Sequence, residues 1–337
     1  MRAFDYASPT SKDKVANLLG SSWGEVEVLA GGTDLLALMK DYVVTPKRLV
    51  NIKQIDGLRG VSYNANSGLR IGALTTLAEL ADSKDLTAYP VLTEAVREAA
   101  SVQIRNVATI GGNMCQRPRC WYFRNGMGLL PTTKDGKSMV VEGDNRYAAI
   151  LGNDGPAYFV SPSTIAPVLI AYGAKVRIYS AKSSGAGMRE LPLEKFFVIP
   201  TAEGQREHDL KPDEIVTELI VPPPAKNLKA SSYEVRQRAA FDWPLSMASV
   251  ALEMDGNTVK SARVVLGHVA PLPWISPEAA DALVGKPVNS DTAMAVANAA
   301  VAKAKPLSRN KYKITLTKAA VKRAVLNAAA GRAGGVA

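Results

Sequence analysis

The sequence predicts an α+β protein: two α/β subdomains in succession, then a C-terminal domain of antiparallel strands packed with helices. Three observations predict it. The glycine pairs Gly31-Gly32 and Gly111-Gly112 punctuate the first two units, the first pair lying between a strand-like run (Val26 to Leu29) and an apolar helical run (Leu35 to Met39). Pro222-Pro223-Pro224 then reads as a linker. Beyond it the pattern changes to β-rich runs joined by Asp255-Gly256-Asn257, a hairpin signal, and then to an alanine-rich helical stretch.

In the first unit, residues 1–56, Glu25 to Leu29 alternates as a strand, Asp34 to Lys40 is helical and Arg48 to Ile52 is a short strand. The second unit, residues 57–224, opens with strands near Leu58 to Tyr63 and Gly68 to Gly72. Thr75 or Thr76 caps a helix through Ala81, with Glu79 placed for a capping box. Pro90 opens a helix reaching Ala100. Tyr158 to Val160, Ala174 to Tyr179 and Ile215 to Val221 read as strands, and Ser163 to Ala171 as an apolar helix. Ser183-Ser184-Gly185-Ala186-Gly187 reads as a loop tip. In the third unit, residues 225–330, Ser246 to Met254 and Val259 to Leu266 form the hairpin, and the chain is helical from Ser276 to about Ala329. Gly331, Gly334 and Gly335 predict a flexible, frayed tail over 331–337.

At 337 residues the chain can hold two or three domains. Its 47% hydrophobic and 21% charged content is ordinary for a soluble globular protein. No apolar run is long enough to cross a bilayer, so no membrane insertion is expected. Met1-Arg2-Ala3-Phe4-Asp5-Tyr6 lacks the pattern of a signal peptide. Two cysteines exclude a disulfide framework and fit a reducing, cytoplasmic setting; a partner with an export signal would make it periplasmic. The net charge of +10 reads as an anionic partner or as a solvated basic surface. Lys303, Lys305, Arg309, Lys311, Lys313, Lys318, Lys322, Arg323 and Arg332 are spread over helical positions without the interleaved aromatics of a stacking platform, Tyr312 alone standing among them, so the surface reading stands and no nucleic acid is expected.

A glycine pair lets backbone N–H groups crowd together and take φ > 0 at little steric cost. Where such a loop opens a helix, those groups point at an anion with the helix dipole behind them. Two such loops in one chain indicate a ligand with a pyrophosphate, a dinucleotide. Neither loop is G-x-G-x-x-G or G-x-x-x-x-G-K-[ST], which excludes the Rossmann and P-loop readings. No Ser-His-Asp, paired-carboxylate or Cys-His arrangement stands out, so no catalytic side chain is assigned. The only histidines, His208 and His268, are too few for a zinc site and read as isolated surface or core residues.

Five stretches occur in order over nearly the whole chain. They are Ala30-Gly31-Gly32-Thr33-Asp34-Leu35; Gln103-Ile104-Arg105-Asn106 running into Thr109-Ile110-Gly111-Gly112-Asn113; Ser161-Pro162-Ser163 with Ala166-Pro167; Pro212-Asp213-Glu214-Ile215-Val216; and Phe241-Asp242-Trp243-Pro244. Together they resemble the FAD-binding medium subunit of the molybdenum hydroxylases, the family of xanthine dehydrogenases, aldehyde oxidoreductases and aerobic carbon monoxide dehydrogenases. The resemblance implies non-covalent FAD between two α/β subdomains of the vanillyl-alcohol-oxidase type. Leu29, Ala30, Gly31, Gly32, Thr33, Asp34 and Leu35 would hold the pyrophosphate through backbone N–H groups, with the Thr33 hydroxyl adding a bond. Arg105, Thr109, Ile110, Gly111, Gly112 and Asn113 would form a second clamp near the pyrophosphate and ribityl chain. Ser163 and Thr164 would meet the ribityl hydroxyls, Thr164 standing where the family usually has an acid. Ile165 would sit against the isoalloxazine. Plain structural readings stand beside these: Thr33 as a helix cap, Asn113 as a left-handed turn residue, Ile165 as core.

The resemblance also implies partners: a small subunit with two-iron clusters and a large molybdopterin subunit, in a heterotrimer or a dimer of heterotrimers. An aldehyde or N-heterocycle would be hydroxylated on the large subunit, and the flavin would pass electrons to an external acceptor. The alternative is a stand-alone flavin oxidoreductase of the vanillyl-alcohol-oxidase type, against which stand the lack of a substrate domain and of a His-linked flavin motif. The stretch from Cys115 to Arg124 is similar to a branch whose medium subunit holds a four-iron–four-sulfur cluster, and leans toward the aldehyde enzymes. Such a cluster takes four thiolates, and the chain has two cysteines, so none is expected here. The arginines and aromatics of this loop are expected either at the interface with the iron–sulfur subunit or packed beneath the flavin domain.

Overall fold

The computed structural model describes residues 1–180, 187–238 and 241–336. Three short parallel strands come first: β1 (Asp5–Ala7), β2 (Val26–Leu29) and β3 (Arg48–Asn51), in the order β1-β3-β2. The crossovers carry α1 (Lys12–Leu18), capped by Ser11, and α2 (Leu35–Lys40). β1 and α1 have no turn or period signal strong enough to mark them, and β1 depends on its pairing with β3. Val15, Leu19, Val50 and Ile52 form a core that also takes in Tyr179 and Ile215 from the second unit.

The second sheet is antiparallel throughout. It contains β4 (Val61–Asn64), β5 (Gly68–Gly72), β6 (Lys175–Tyr179), β7 (Met188–Pro192) and β8 (Ile215–Val221), in the order β4-β5-β8-β6-β7. α3 (Leu77–Asp82) starts at Thr76, which forms the capping box with Glu79. α4 (Pro90–Glu98) has proline in its first turn and buries Val91, Leu92, Ala95 and Val96. Four short helices follow: α5 (Val102–Arg105), α6 (Ile110–Cys115), α7 (Trp121–Arg124) and α8 (Met139–Glu142). α9 (Ile165–Ala171) is buried at every residue, because α4 covers one side and the third sheet the other. α10 (Leu193–Phe196) follows β7. The expected strand at Tyr158 to Val160 does not form; it has no neighbouring strand, and the Tyr158 carbonyl accepts from the Ala149 N–H instead. Of the expected loop tip, Ser183 to Ala186 lie outside the described residues.

The third sheet contains β9 (Leu228–Arg236), β10 (Pro244–Asp255), β11 (Thr258–Gly267), β12 (Trp274–Ile275) and β13 (Gly334–Val336), in the order β12-β11-β10-β9-β13. α11 (Pro277–Asp281), α12 (Ser290–Ala300) and α13 (Tyr312–Ala329) cover it, with alanines 293, 297, 320, 324 and 328 buried at the contact. Two expectations are corrected here. Gly334–Val336 is not a frayed tail: it pairs in parallel with Ser232–Glu234, satisfying backbone groups on the open edge of β9. Lys313 is not part of a solvated basic face: it is 1% exposed. Met247, Ala251 and Val265 of the third sheet share a core with Leu69, Val176 and Leu219 of the second. No helix among the described residues is long and apolar enough to cross a membrane.

Candidate cofactor cleft

The turn after β2 and the start of α6 meet along a cleft of about 400 Å³. Gly31 lies directly against the second loop: a Cβ there would stand 2.1 Å from the Val107 carbonyl oxygen. Gly32 holds φ +77°, the left-handed region that glycine adopts without strain. Thr109 caps α6 by accepting from the Gly112 N–H at 3.2 Å. α2 and α6 are six residues each, too short for a strong macrodipole, so the loop N–H groups supply most of the polarity. Among the described hydrogen bonds, the backbone N–H groups of Gly31, Gly32, Thr33 and Asp34 have no acceptor in the protein. A pyrophosphate offers what these donors lack.

The Asp34 carboxylate is already engaged. It accepts from the Arg117 backbone N–H (2.8 Å) and from Arg124 Nη2 (2.7 Å), and it pairs with Arg119 Nη1 (2.8 Å). Arg124 also donates to the carbonyls of Pro118 and Arg117. Arg117 pairs with Glu207 at 2.9 Å. Arg119 lies 4.8 Å over the Trp243 ring. Three guanidiniums face two carboxylates, leaving one net positive charge beside the first glycine loop. Arg119 and Arg124 are turned inward and, with the Arg117 backbone, hold the 116–124 loop against Asp34. Trp121 remains exposed.

A second set of residues closes the other side of the cleft. Arg206 pairs with Glu27 at 2.5 Å and lies 4.8 Å over Trp23. His208 stacks on Phe196 and meets Trp23 edge-on, with both centroid distances 5.6 Å. Burial, helped by the charges of Arg206 and Arg117, pulls His208 down to about 3, so the imidazole is neutral. Burial pushes the Cys115 thiol up to about 12, which leaves it a thiol and not a thiolate. Arg236 pairs with Glu234 at 2.5 Å and with Glu98 at 3.3 Å.

Of the sequence candidates, Ala30 to Leu35, Thr109, Gly111, Gly112, Asn113 and Thr164 line the cleft. Leu29, Ile110 and Ile165 are instead core residues, Ile165 because α9 is enclosed on all sides. Ser163 acts one step back: its hydroxyl donates to Asn113 Oδ1 at 2.6 Å and accepts from the Ala166 N–H at 2.9 Å. Arg105 does not line the cleft itself; it donates to the carbonyls of Ala99 (2.9 Å) and Ala100 (3.0 Å), residues that do, where Ala100 holds φ +54°. Asn113 is helical and not a left-handed turn residue, and Thr33 is exposed and does not cap α2. Trp23, Glu27, Arg206, His208 and Arg236 also line the cleft, and no local motif marks them; Cys115, from the Cys115 to Arg124 stretch, lines it too. Phe241, Asp242 and Trp243, which do carry a motif, line it as well.

Fold and cleft together define an α+β protein in which two glycine loops, one after β2 and one at the start of α6, meet at a single cleft. Residues 2–224 match the family described as the FAD binding domain in molybdopterin dehydrogenase, and residues 231–328 match the CO dehydrogenase flavoprotein C-terminal domain. The chain is 32% identical over 320 residues to the aldehyde oxidoreductase FAD-binding subunit PaoB of Escherichia coli K12, covering 94% of this chain and 96% of that protein. It is 29% identical to the carbon monoxide dehydrogenase medium chain of Hydrogenophaga pseudoflava, covering 98% of both. The solved carbon monoxide dehydrogenase of that organism superposes with a TM-score of 0.75 at 28% identity, covering 98% of this chain and 99% of that one. Quinoline 2-oxidoreductase from Pseudomonas putida 86 gives a TM-score of 0.74 at 25% identity, covering 98% of both. The chain belongs to the FAD-binding subunits of the molybdopterin dehydrogenases and is an oxidoreductase subunit.

Proposed function

We propose that this chain is the electron-transfer subunit of a heteromeric molybdenum hydroxylase. Electrons arrive from two-iron clusters on a small partner subunit and leave to an external acceptor; the organic substrate, oxidised on a large molybdopterin subunit, is an aldehyde or an N-heterocycle. The observation that carries the flavin site is the meeting of the two glycine loops at one cleft, with four unpaired backbone N–H groups on the first. Likeness over nearly full length to proteins named as FAD-binding subunit and medium chain supports a subunit role over a stand-alone oxidoreductase. We take residues 1–56, 57–224 and 225–330 as its three units.

The residues fit the cofactor. The Gly31 to Asp34 N–H groups donate to the pyrophosphate, and the net positive Asp34 clasp balances part of its charge. Asn113, oriented by Ser163, and Thr164, whose hydroxyl makes no described hydrogen bond, suit the ribityl hydroxyls. Non-covalent FAD supplies the two-electron chemistry when bound; the chain supplies binding, orientation and exclusion of water. Acid precipitation of the purified protein should release all the yellow colour as FAD, one per chain. Flavin retained in the pellet excludes non-covalent binding, and a colourless protein that takes up no added FAD excludes the flavin site.

A further inference from the structure

A second cavity, of about 270 Å³, lies on the far side of one wall of the flavin cleft. The two share Arg119, Pro162, Asp242 and Trp243, and neither glycine loop reaches the second. Its remaining walls include the aromatic side chains Trp121, Tyr122, Tyr147, Tyr158 and Phe159. Among the residues lining it are His268 and Lys313, each 1% exposed.

These two residues are held differently. Lys313 Nζ donates to the carbonyls of His268 (2.7 Å), Ala148 (3.2 Å) and Tyr147 (3.4 Å), so its hydrogens are taken. His268 sits at φ +62°, fixed there by that grip on its carbonyl, and its Nε2 has no partner. Leaving a buried polar atom unpaired is unfavourable, and a matching ligand atom removes that cost. Burial, with the charges of Lys313 and Arg236, holds His268 at about 3, so its ring is neutral. Of the charged groups in the walls, Arg119 pairs with Asp34 and Asp144 with Arg146, while Lys313 is held by carbonyls and the Asp242 carboxylate accepts from the Trp243 backbone N–H. A ligand carbonyl can accept from the His268 ring in its Nε2–H form, and the indole N–H groups of Trp121 and Trp243 also only donate. Aromatic walls favour flat rings, and the volume admits one or two of them.

We propose that this cavity binds a planar aromatic carbonyl compound of one or two rings, stacked among the Trp and Tyr side chains and accepting a hydrogen bond from His268 Nε2. The site goes beyond the flavin reading and does not depend on it.

The test is calorimetric titration of the full-length, FAD-loaded protein with chromone, and with naphthalene as the flat ring system without a carbonyl. Chromone should bind saturably, one per chain, about tenfold tighter than naphthalene, the worth of one hydrogen bond. His268→Asn, chosen because asparagine tolerates positive φ, should bring chromone down to the naphthalene affinity. Val160→Phe fills the cavity from a residue that lines it and not the flavin cleft, and should abolish both. Should His268→Asn not fold, the chromone-to-naphthalene ratio and Val160→Phe still decide. No saturable binding up to millimolar chromone, equal affinity for the two probes, or undiminished binding in Val160→Phe overturns the proposal. FAD content, read separately by absorbance, shows a failure of the flavin reading as lost flavin and not as lost chromone heat.

Discussion

Single residues carry the cleft, and three substitutions test how. Gly32→Val puts a β-branched side chain at φ +77°, its Cβ 3.1 Å from Leu29 and Leu36 and so closer than ordinary van der Waals contact, and turns the loop N–H groups out of register. The expected outcome is at least a tenfold loss of FAD affinity by titration; a change within about threefold, less than 1 kcal/mol, would show that this loop does not hold the phosphates. Asp34→Asn leaves the guanidiniums of Arg117, Arg119 and Arg124 with Glu207 alone. Because these side chains keep some contact with water, the cost should be about 2 kcal/mol rather than the full value for a buried pair. Urea unfolding measures it, and an unchanged midpoint would mean that the arginines find other acceptors. Lys313 makes a prediction about pH. Burial lowers it from the ordinary lysine range to about 7. Between about pH 7 and 10.5 the unfolded chain thus holds the proton more tightly, and folded stability gains as pH rises through that window. Relative to Lys313→Met, the parent should gain melting temperature from pH 7 to pH 10; a flat difference would show that the three carbonyls keep the ammonium charged when folded.

At the scale of elements, the short ones are defined by what they touch. β13 has three residues and no propensity of its own, two of them glycine, yet it seals the edge of β9. Ending the chain at Gly331 should expose that edge, lower the melting temperature by a few degrees and increase concentration-dependent association seen by light scattering. Unchanged behaviour on both counts would make β13 a passive neighbour. The capping box at Thr76 and Glu79 and the hairpin about Gly256 were legible in the sequence, because each is decided by contacts within four residues. Tyr158 to Val160 was misleading for the opposite reason: a strand needs a partner, and none runs beside it.

In the whole molecule the units do not have separate interiors. The core of the first takes in Tyr179 and Ile215, and that of the second takes in Met247 and Val265. Heating should therefore give one cooperative transition by near-ultraviolet circular dichroism, with flavin fluorescence rising in the same step. Two resolved transitions would show that the shared cores are too small to couple the units. Bound FAD should add stability as its free concentration rises, by about 2.7 kcal/mol at a hundred times the dissociation constant.

The amino-acid sequence by itself determined the α+β class, both glycine loops, the caps and hairpin, and the family. These follow from short contiguous runs whose backbone demands are local: a glycine where φ is positive, a threonine where a helix begins. Tertiary structure alone decided which side chains face the cleft. Ile165 and Arg105 lie next to glycine-loop or cleft residues in the chain, yet one is enclosed by α9's neighbours and the other turns to Ala99. Asp34 finds its partners 83 and 90 residues away. Lys313 is buried by carbonyls as far as 166 residues upstream. Burial and charge pairing depend on contacts between distant segments, and no period or motif along the chain records those.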